Sequence, residues 1–214
     1  MDIASYLPQL GQGLIVSLQL TVISVFFGFI IGLIFAVGVA SENPWIRWPV
    51  LVLVEIGRGI PSLVVLYIVY YGLPAIGLLF ESFTAAAIGL TFTVAAYSSE
   101  MIRAGIRSVP VGQHEAAAAL GLRWGGTFGR IVLPQGLRAS IPPLMGLAIQ
   151  SFQGTSLAYT IAVAELMSQA YQVSAVNFQY LQVYAVTGLI YVLIAVPATW
   201  LSVFAEHRLA RGAF

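Results

Sequence analysis

Residues 14–40 read LIVSLQLTVISVFFGFIIGLIFAVGVA and include no charged side chain. A helix needs about 20 consecutive apolar residues to cross the ~30 Å hydrocarbon layer of a bilayer. The stretch meets this length, and it lies within a longer uncharged segment, residues 3–41. It therefore predicts a membrane-spanning helix near the N-terminus, and we expect this helix to be retained because no basic residue precedes it.

The composition of the whole chain leads to the same conclusion. Of its 214 residues, 59% are hydrophobic and 8% are charged, and the mean hydropathy is +0.93. Soluble domains contain about 25% charged residues. This chain therefore has too few polar groups to cover a soluble surface of its size. We expect an all-α integral membrane protein with a single transmembrane domain over residues 1–214, without an internal repeat.

Four further runs are long and apolar enough to cross a bilayer. The second span includes Glu55 and Arg58 in its first third, and Gly59 and Pro61 directly after them predict a bend that lines a cavity. The five predicted spans cover approximately residues 14–40, 49–73, 84–102, 137–163 and 183–204.

The arginines predict the orientation, because basic loops remain on the cytoplasmic side of a membrane. The nine basic residues are all arginine, and they lie in three clusters at residues 47–58, 103–138 and 208–211. The segments predicted to lie on the opposite side of the membrane, including residues 165–182, contain no arginine. With five spans, this distribution places the N-terminus outside and the C-terminus in the cytoplasm.

The composition also excludes several functions. Without cysteine, the chain has no disulfide, thiol catalysis or Cys-ligated zinc, and without lysine it has no P-loop or Schiff base. His114 and His207 have no second ligand at metal spacing, so neither a metal nor a catalytic site is predicted. The arginines are explained by membrane orientation, and nucleic-acid binding is not indicated. We predict a non-enzymatic chain without a cofactor of its own.

Residues 104–136 form the only long segment that resembles soluble structure. Within it, the run from Glu115 to Leu120 contains strong helix formers, Pro110 and Gly112 precede it, and Gly121 follows at the expected C-terminal cap. We expect one short helix with Glu115 near its positive N-terminal end. Its alanines would let it enter a groove of another protein, although a simple connector helix would show the same pattern.

The spacing of this segment resembles the EAA loop of binding-protein-dependent ABC importer permeases. The matching residues are Glu115, Ala116, Ala117, Gly121 and Ile131-Val132-Leu133-Pro134. Other segments look like the polar amino acid subfamily of these permeases, in particular residues 13–21, 58–61, 96–106, 109–113, 155–157 and 164–166. The resemblance covers nearly the whole chain and implies the type I ABC importer permease fold.

The resemblance implies a set of partners. Glu115, Ala116, Ala117 and Gly121 would dock on a cytoplasmic ABC ATPase dimer, which would bind and hydrolyse ATP with Mg. A second permease subunit, either identical or paralogous, would complete the membrane unit. An external substrate-binding protein would meet the arginine-free outer segments and deliver a polar amino acid or related compound. The expected location is the bacterial cytoplasmic (inner) membrane, with several passes.

Polar side chains within the spans are candidates for the substrate path, because a charge at the bilayer centre costs about 2.5–3.5 kcal/mol. Glu55 with Arg58, and Glu100 with Arg103, are three residues apart, so ion pairing is the simple interpretation. Glu100 is also the candidate carboxylate for a substrate ammonium group. The other candidates are Arg58, Gln150, Gln153 and Thr155, although small polar residues also join helices in membranes.

Two further classes of function remain as alternatives. In a self-sufficient channel or secondary transporter, the intramembrane charges would bind coupling ions, but five spans without a repeat fit inverted-repeat transporters poorly. An assembly or scaffold subunit would predict that deletion leaves transport intact.

Overall fold

The structure, a computed structural model, describes residues 5–210, and every regular element in that part of the chain is helical. The α-helices are α1 (Leu7–Val39), α2 (Pro44–Gly59), α3 (Ser62–Tyr67), α4 (Ser82–Arg107), α5 (Val111–Ala119), α6 (Trp124–Thr127), α7 (Leu133–Gly154), α8 (Leu166–Asn177) and α9 (Tyr180–Ala210). Two π-helical turns, Ile68–Gly72 and Phe128–Val132, and two 3-10 turns, Leu73–Ile76 and Thr155–Ile161, continue or connect them.

Three helices in the described part of the chain are long and apolar enough to cross a membrane, namely Leu7–Val39, Ser82–Arg107 and Tyr180–Arg208. The count rises to four if the bent pair Pro44–Gly59 and Ser62–Ile76 is one span. These elements coincide with the first, third, fifth and second predicted spans. The helix α7 covers the first part of the predicted fourth span, but polar residues such as Arg138 and Gln150 keep its mean hydropathy below that of the other spans.

The predicted bend in the second span is confirmed. The helix α2 ends at Gly59, α3 starts at Ser62, and their axes differ by 108°. Ile60 and Pro61 between them are extended, with ψ angles of 130° and 137°. The ring of Pro61 forces this change, because it disfavours the helical conformation for the residue before it.

Small residues let α1 and α4 approach closely. The buried stripe of α1 includes Ser24, Gly28, Gly32 and Ala36, spaced four residues apart. The hydroxyl of Ser98 on α4 donates to the carbonyl oxygen of Gly28 at 3.2 Å. In a membrane, helices associate through such van der Waals contact and interhelical hydrogen bonds rather than through the hydrophobic effect. This contact fixes α4 against the N-terminal helix.

On another side, α4 crosses α7 through glycine. A Cβ built on Gly136 would lie 2.7 Å from the Cα of Ile106 on α4. The hydroxyl of Ser140, one turn further along α7, donates to the carbonyl oxygens of Gly136 at 2.8 Å and of Met101 at 3.3 Å. The backbones of α4 and α7 therefore meet near the end of α4 and the start of α7, the two ends between which α5 lies in the sequence.

Two apolar clusters complete the packing around these contacts. One cluster joins α1, α3, α4 and the 3-10 turn after α7 through residues such as Leu20, Leu66 and Ile161. The second joins the start of α1 to α8 and α9 through Leu10, Leu166 and Val183. The helix α1 takes part in both clusters and so connects the two halves of the described chain.

We predict that Gly136→Ala destabilises the protein by about 1–3 kcal/mol, because the added methyl group would push against the backbone of α4. The matched control is Gly146→Ala on the same helix, where a Cβ would meet nothing within 4 Å. That variant should be neutral or slightly stabilising, since alanine favours helix over glycine by up to about 1 kcal/mol. Unfolding by denaturant in detergent measures both. Equal stability of the two variants would contradict the close α4–α7 crossing.

Candidate functional site

The helix α5 is longer at its start than the sequence indicates. It begins at Val111 with Pro110 at the N-cap, so Gly112 lies inside its first turn rather than breaking the helix. Glu115 is therefore the fifth helical residue, and no acidic residue occupies the first turn. The expectation that Glu115 sits near the positive helix terminus is wrong, because the effect of the helix dipole decays within that first turn.

The end of α5 agrees with the prediction. Gly121 has a φ angle of +72°, which is the left-handed conformation that glycine adopts with least strain. Its N–H donates to the carbonyl oxygen of Ala118 at 2.9 Å, and that of Leu122 donates to Ala117 at 3.1 Å. These two bonds form a Schellman motif, which closes the helix and redirects the chain.

The predicted docking residues differ in their exposure. Glu115, Ala116 and Gly121 are exposed, whereas Ala117 is only 1% exposed and packs inside the chain. A hydrogen bond of 3.4 Å from the Gln135 amide to the Gln113 side-chain oxygen joins α5 to α7. The helix α5 thus rests on the start of α7 and leaves an outer face free within the described chain.

The charged residues near the end of α4 form one cluster around Glu100. Its carboxylate lies 2.7 Å from Arg103, 3.8 Å from Arg58 and 3.9 Å from Arg107. Arg58 also lies 3.4 Å from Glu55. The two predicted ion pairs are therefore present. The bend after α2 brings the guanidinium group of Arg58 close to Glu100, which links the two ion pairs. The last turn of α4 adds Arg107 to the cluster.

Next to this cluster lies an open cavity of about 410 Å³. The start of α3, one face of α4, the second half of α7 and the 3-10 turn after it form its walls. The lining residues are Ser62, Leu90, Thr93, Val94, Tyr97, Leu147, Gln150, Ser151, Gln153, Gly154, Ser156 and Leu157. Small-molecule sites in proteins have volumes of about 300–1,000 Å³ and mostly apolar walls with a few polar groups. This cavity is of that kind.

The structure divides the predicted path residues into two groups. Gln150 and Gln153 line the cavity. Thr155 does not, because the chain changes there from α to 3-10 geometry and its fully buried hydroxyl donates to the carbonyl oxygen of Phe152 at 2.7 Å. Glu100 and Arg58 lie outside the lining, in the charge cluster.

Tyr97 connects the cavity to the charge cluster. Its ring lines the cavity, and its hydroxyl donates to the carbonyl oxygen of Arg58 at 3.2 Å. Tyr97 and the hydroxyl of Ser151 were not among the predicted residues. The sequence offers only a weak signal for them, namely their place beside other polar residues on otherwise apolar helices.

Glu165 is a buried carboxylate on the opposite side of the molecule. It caps α8 by accepting the N–H groups of Ser168 at 2.7 Å and Met167 at 2.9 Å, and it accepts the hydroxyl of Ser17 on α1 at 3.3 Å. Burial raises the pKa of the Glu165 carboxyl, and the hydrogen bonds oppose this shift. Its side chain therefore holds α8 on α1 and does not face outward, unlike the exposed residues Val176 and Phe178 at the end of α8.

No group of three histidine, aspartate or glutamate side chains within residues 5–210 could hold a metal ion. The chemistry available to these residues is hydrogen bonding in the cavity and ion pairing in the charge cluster beside it.

A family model of the "binding-protein-dependent transport system inner membrane component" matches residues 28–211. The chain belongs to this family. It is therefore a membrane permease of ABC transporters, and the fold that the EAA spacing implies is confirmed.

Relatives agree with this assignment over nearly the full length of the permease. The probable amino-acid ABC transporter permease protein YckA of Bacillus subtilis is 39% identical over 86% of this chain and 81% of its own. The L-cystine transport system permease protein TcyB of Bacillus subtilis is 39% identical over 97% of this chain and 89% of its own. The crystal structure of an amino acid ABC transporter with histidines superposes with a TM-score of 0.92 and 31% identity. The match covers 97% of this chain and 99% of that one.

In this permease we predict unequal coupling between Glu100 and its arginines. Arg103 is 15% exposed and 2.7 Å away, whereas Arg107 is 66% exposed and 3.9 Å away. A double-mutant cycle with Glu100→Gln and Arg103→Gln should give a coupling energy of about 1 kcal/mol or more, because less water screens that pair. The matched cycle with Arg107→Gln should give less than ~0.5 kcal/mol. Unfolding of the single and double variants in detergent measures both, and equal values would argue against Arg103 as the principal partner.

Proposed function

We propose that this permease is the membrane-spanning, non-catalytic subunit of an ATP-driven importer for amino acids or related compounds. The observation that carries the proposal is the attachment of α5. This helix presents Glu115, Ala116 and Gly121 outward, follows α4 directly and contacts α7 through Gln113 and Gln135. Both α4 and α7 line the cavity. The printed names of its relatives, which include an amino-acid permease and a cystine permease, support the class of substrate.

In this proposal the energy comes from outside the chain. A cytoplasmic ABC ATPase dimer binds ATP and Mg²⁺ and takes the exposed face of α5 into a cleft. When the ATPase dimer closes, it moves α5, and α5 moves the cytoplasmic ends of α4 and α7. Because these ends are in backbone contact at Gly136, they shift together, and the cavity between them opens to one side of the membrane or the other.

The remaining partners follow from the proposed orientation. The chain would cross the bacterial inner membrane five times, with α7 and the following turn as the fourth span, the N-terminus outside and the C-terminus in the cytoplasm. A second permease subunit, identical or paralogous, would complete the translocation path. An external binding protein would dock near the junction of α8 and α9, where Val176, Phe178 and Leu181 are exposed.

The cavity is the proposed resting place of the substrate on its way through the membrane, with Gln150 and Gln153 as contacts. The charge cluster of Glu55, Arg58, Glu100, Arg103 and Arg107 lies beside it toward α5. A substrate that leaves the cavity inward would meet this cluster, and the ammonium group of an amino acid would approach Glu100 there. Thr155 has a supporting role only, because its hydroxyl is bonded within the turn.

The proposal is tested by reconstituting the permease with its ATPase and binding protein and measuring uptake of labelled amino acids. Gly121→Val should lower uptake and substrate-stimulated ATP hydrolysis together, because a left-handed conformation costs a residue other than glycine about 1–2 kcal/mol and displaces the chain after α5. Glu115→Lys should act similarly by reversing a charge on the exposed face.

Gly112→Ala is the matched control for Gly121→Val. It lies in the first turn of α5, the helix that Gly121 ends, and a Cβ there meets nothing within 4 Å. This variant should retain both activities. Normal uptake in both Gly121→Val and Glu115→Lys would remove the coupling role of α5.

The orientation is tested separately with reporters. A reporter fused after Phe214 should be cytoplasmic, and one inserted between Phe178 and Gln179, in the exposed turn before α9, should be external, because the arginine clusters keep their segments inside. Glycosylation or alkaline phosphatase activity at each position provides the measurement. A cytoplasmic signal from the second reporter would contradict the five-span orientation.

A further inference from the structure

We propose that the cavity accepts an amino acid whose side chain is uncharged and forms hydrogen bonds, and that it discriminates against cationic and anionic side chains. This inference rests on the proposed function, in which the cavity lies on the substrate path. It concerns the class of substrate, which family membership leaves open.

The lining of the cavity contains no charged side chain. Its polar groups are the amides of Gln150 and Gln153 and the hydroxyl groups of serine, threonine and tyrosine residues. Amides and hydroxyls both donate and accept hydrogen bonds. They can therefore satisfy the ammonium and carboxylate groups of a zwitterion and, at the same time, an amide or hydroxyl on its side chain.

Three of these polar groups have no partner within residues 5–210. Ser151 is only 7% exposed, and its buried hydroxyl makes no hydrogen bond. The side-chain amides of Gln150 and Gln153 make no hydrogen bond in the described chain either. Gln150 and Gln153 are exposed to the open cavity, so both amides are available to a ligand, whereas an unpartnered buried hydroxyl such as that of Ser151 costs about 1–3 kcal/mol. A ligand in the cavity would bond to the two amides, which is the reason to regard it as a binding site.

The charged groups nearest to the cavity lie outside its lining and contact one another. Glu100 is surrounded by Arg58, Arg103 and Arg107, and Arg58 also meets Glu55. A cationic or anionic side chain in the cavity would lose its hydration without gaining a counter-charge, and an unpaired charge in a low-dielectric site is strongly disfavoured. An uncharged polar side chain avoids this cost.

The apolar part of the lining fits the same class of substrate. Leu90, Val94, Leu147 and Leu157 contribute to the walls. They can contact the methylene groups between the zwitterionic end and a polar side-chain end. The cavity therefore offers hydrogen bonds and apolar contact, and it offers no ion pair.

The test is equilibrium binding to the permease–ATPase complex in lipid nanodiscs, without the binding protein, because that protein has its own selectivity. The probes are labelled glutamine, serine, arginine and glutamate. We expect the complex to bind glutamine or serine at least about tenfold more tightly than arginine and glutamate. Equal or tighter binding of arginine or glutamate would overturn the inference.

A charge change gives a second, independent measurement. Gln153→Glu and, separately, Gln150→Glu should shift the preference toward arginine by about tenfold or more, because each adds a carboxylate to the lining. Gln182→Glu adds the same charge at an exposed position of α9 outside the cavity and should leave the preference unchanged. Gln153→Asn, which keeps an amide, should retain the preference for uncharged side chains.

The outcomes separate this inference from the proposed function. If the reconstituted system takes up no amino acid, the proposed function fails. If uptake is normal but neither glutamate variant changes the selectivity of binding or uptake, the cavity does not select the substrate and the inference is wrong. If uptake is normal and both glutamate variants favour arginine while the control does not, the inference holds.

Discussion

The position of α4 is the constraint on which the rest of the structure depends. In a bilayer no hydrophobic effect presses helices together, so close backbone contact must hold them. The helix α4 makes such contact on two sides, with Gly28 and Gly32 of α1 and with Gly136 of α7. A third face remains for Tyr97 and the cavity, and the last third of the helix carries Glu100. The helix α5 follows directly, so the position of α4 determines the positions of the cavity, the charge cluster and α5.

The separation of charge from the cavity follows from this arrangement. Glu100 and Arg103 are one turn apart in the last third of α4, and a charged side chain away from the middle of a span is less costly than one at the bilayer centre. The bend after α2 brings Arg58 to the same place. Tyr97, three residues before Glu100, faces the cavity and bonds to the backbone of Arg58. The charges therefore contact one another beside the cavity, while the polar groups that line the cavity are amides and hydroxyls.

Features that depend on local backbone chemistry were predictable from sequence. Pro61 imposes the bend, and the left-handed turn requires a residue such as Gly121, so both could be read from a few neighbouring residues. The start of α5 was misplaced because glycine in a first helical turn is tolerated, and the helix begins at Val111, directly after the N-cap Pro110. The bend, Gln150 and Gln153 were predicted from sequence, but the full set of cavity walls was not, since they come from three separate segments. The burial of Thr155 depends on a change from α to 3-10 geometry that has no clear sequence signal.

The two ends of the molecule are connected through α1. On one side, the hydroxyl of Ser17 binds Glu165 and the N–H of Leu166, which fixes the start of α8 to α1. Further along, α1 packs closely on α4 through Gly28 and Gly32, and α4 leads to α5. A force applied at α8 is therefore transmitted to α4 by one continuous helix rather than by loops. Because the contacts along this route are glycine and serine contacts with little free space, side-chain movement has little room to absorb a displacement between α8 and α4.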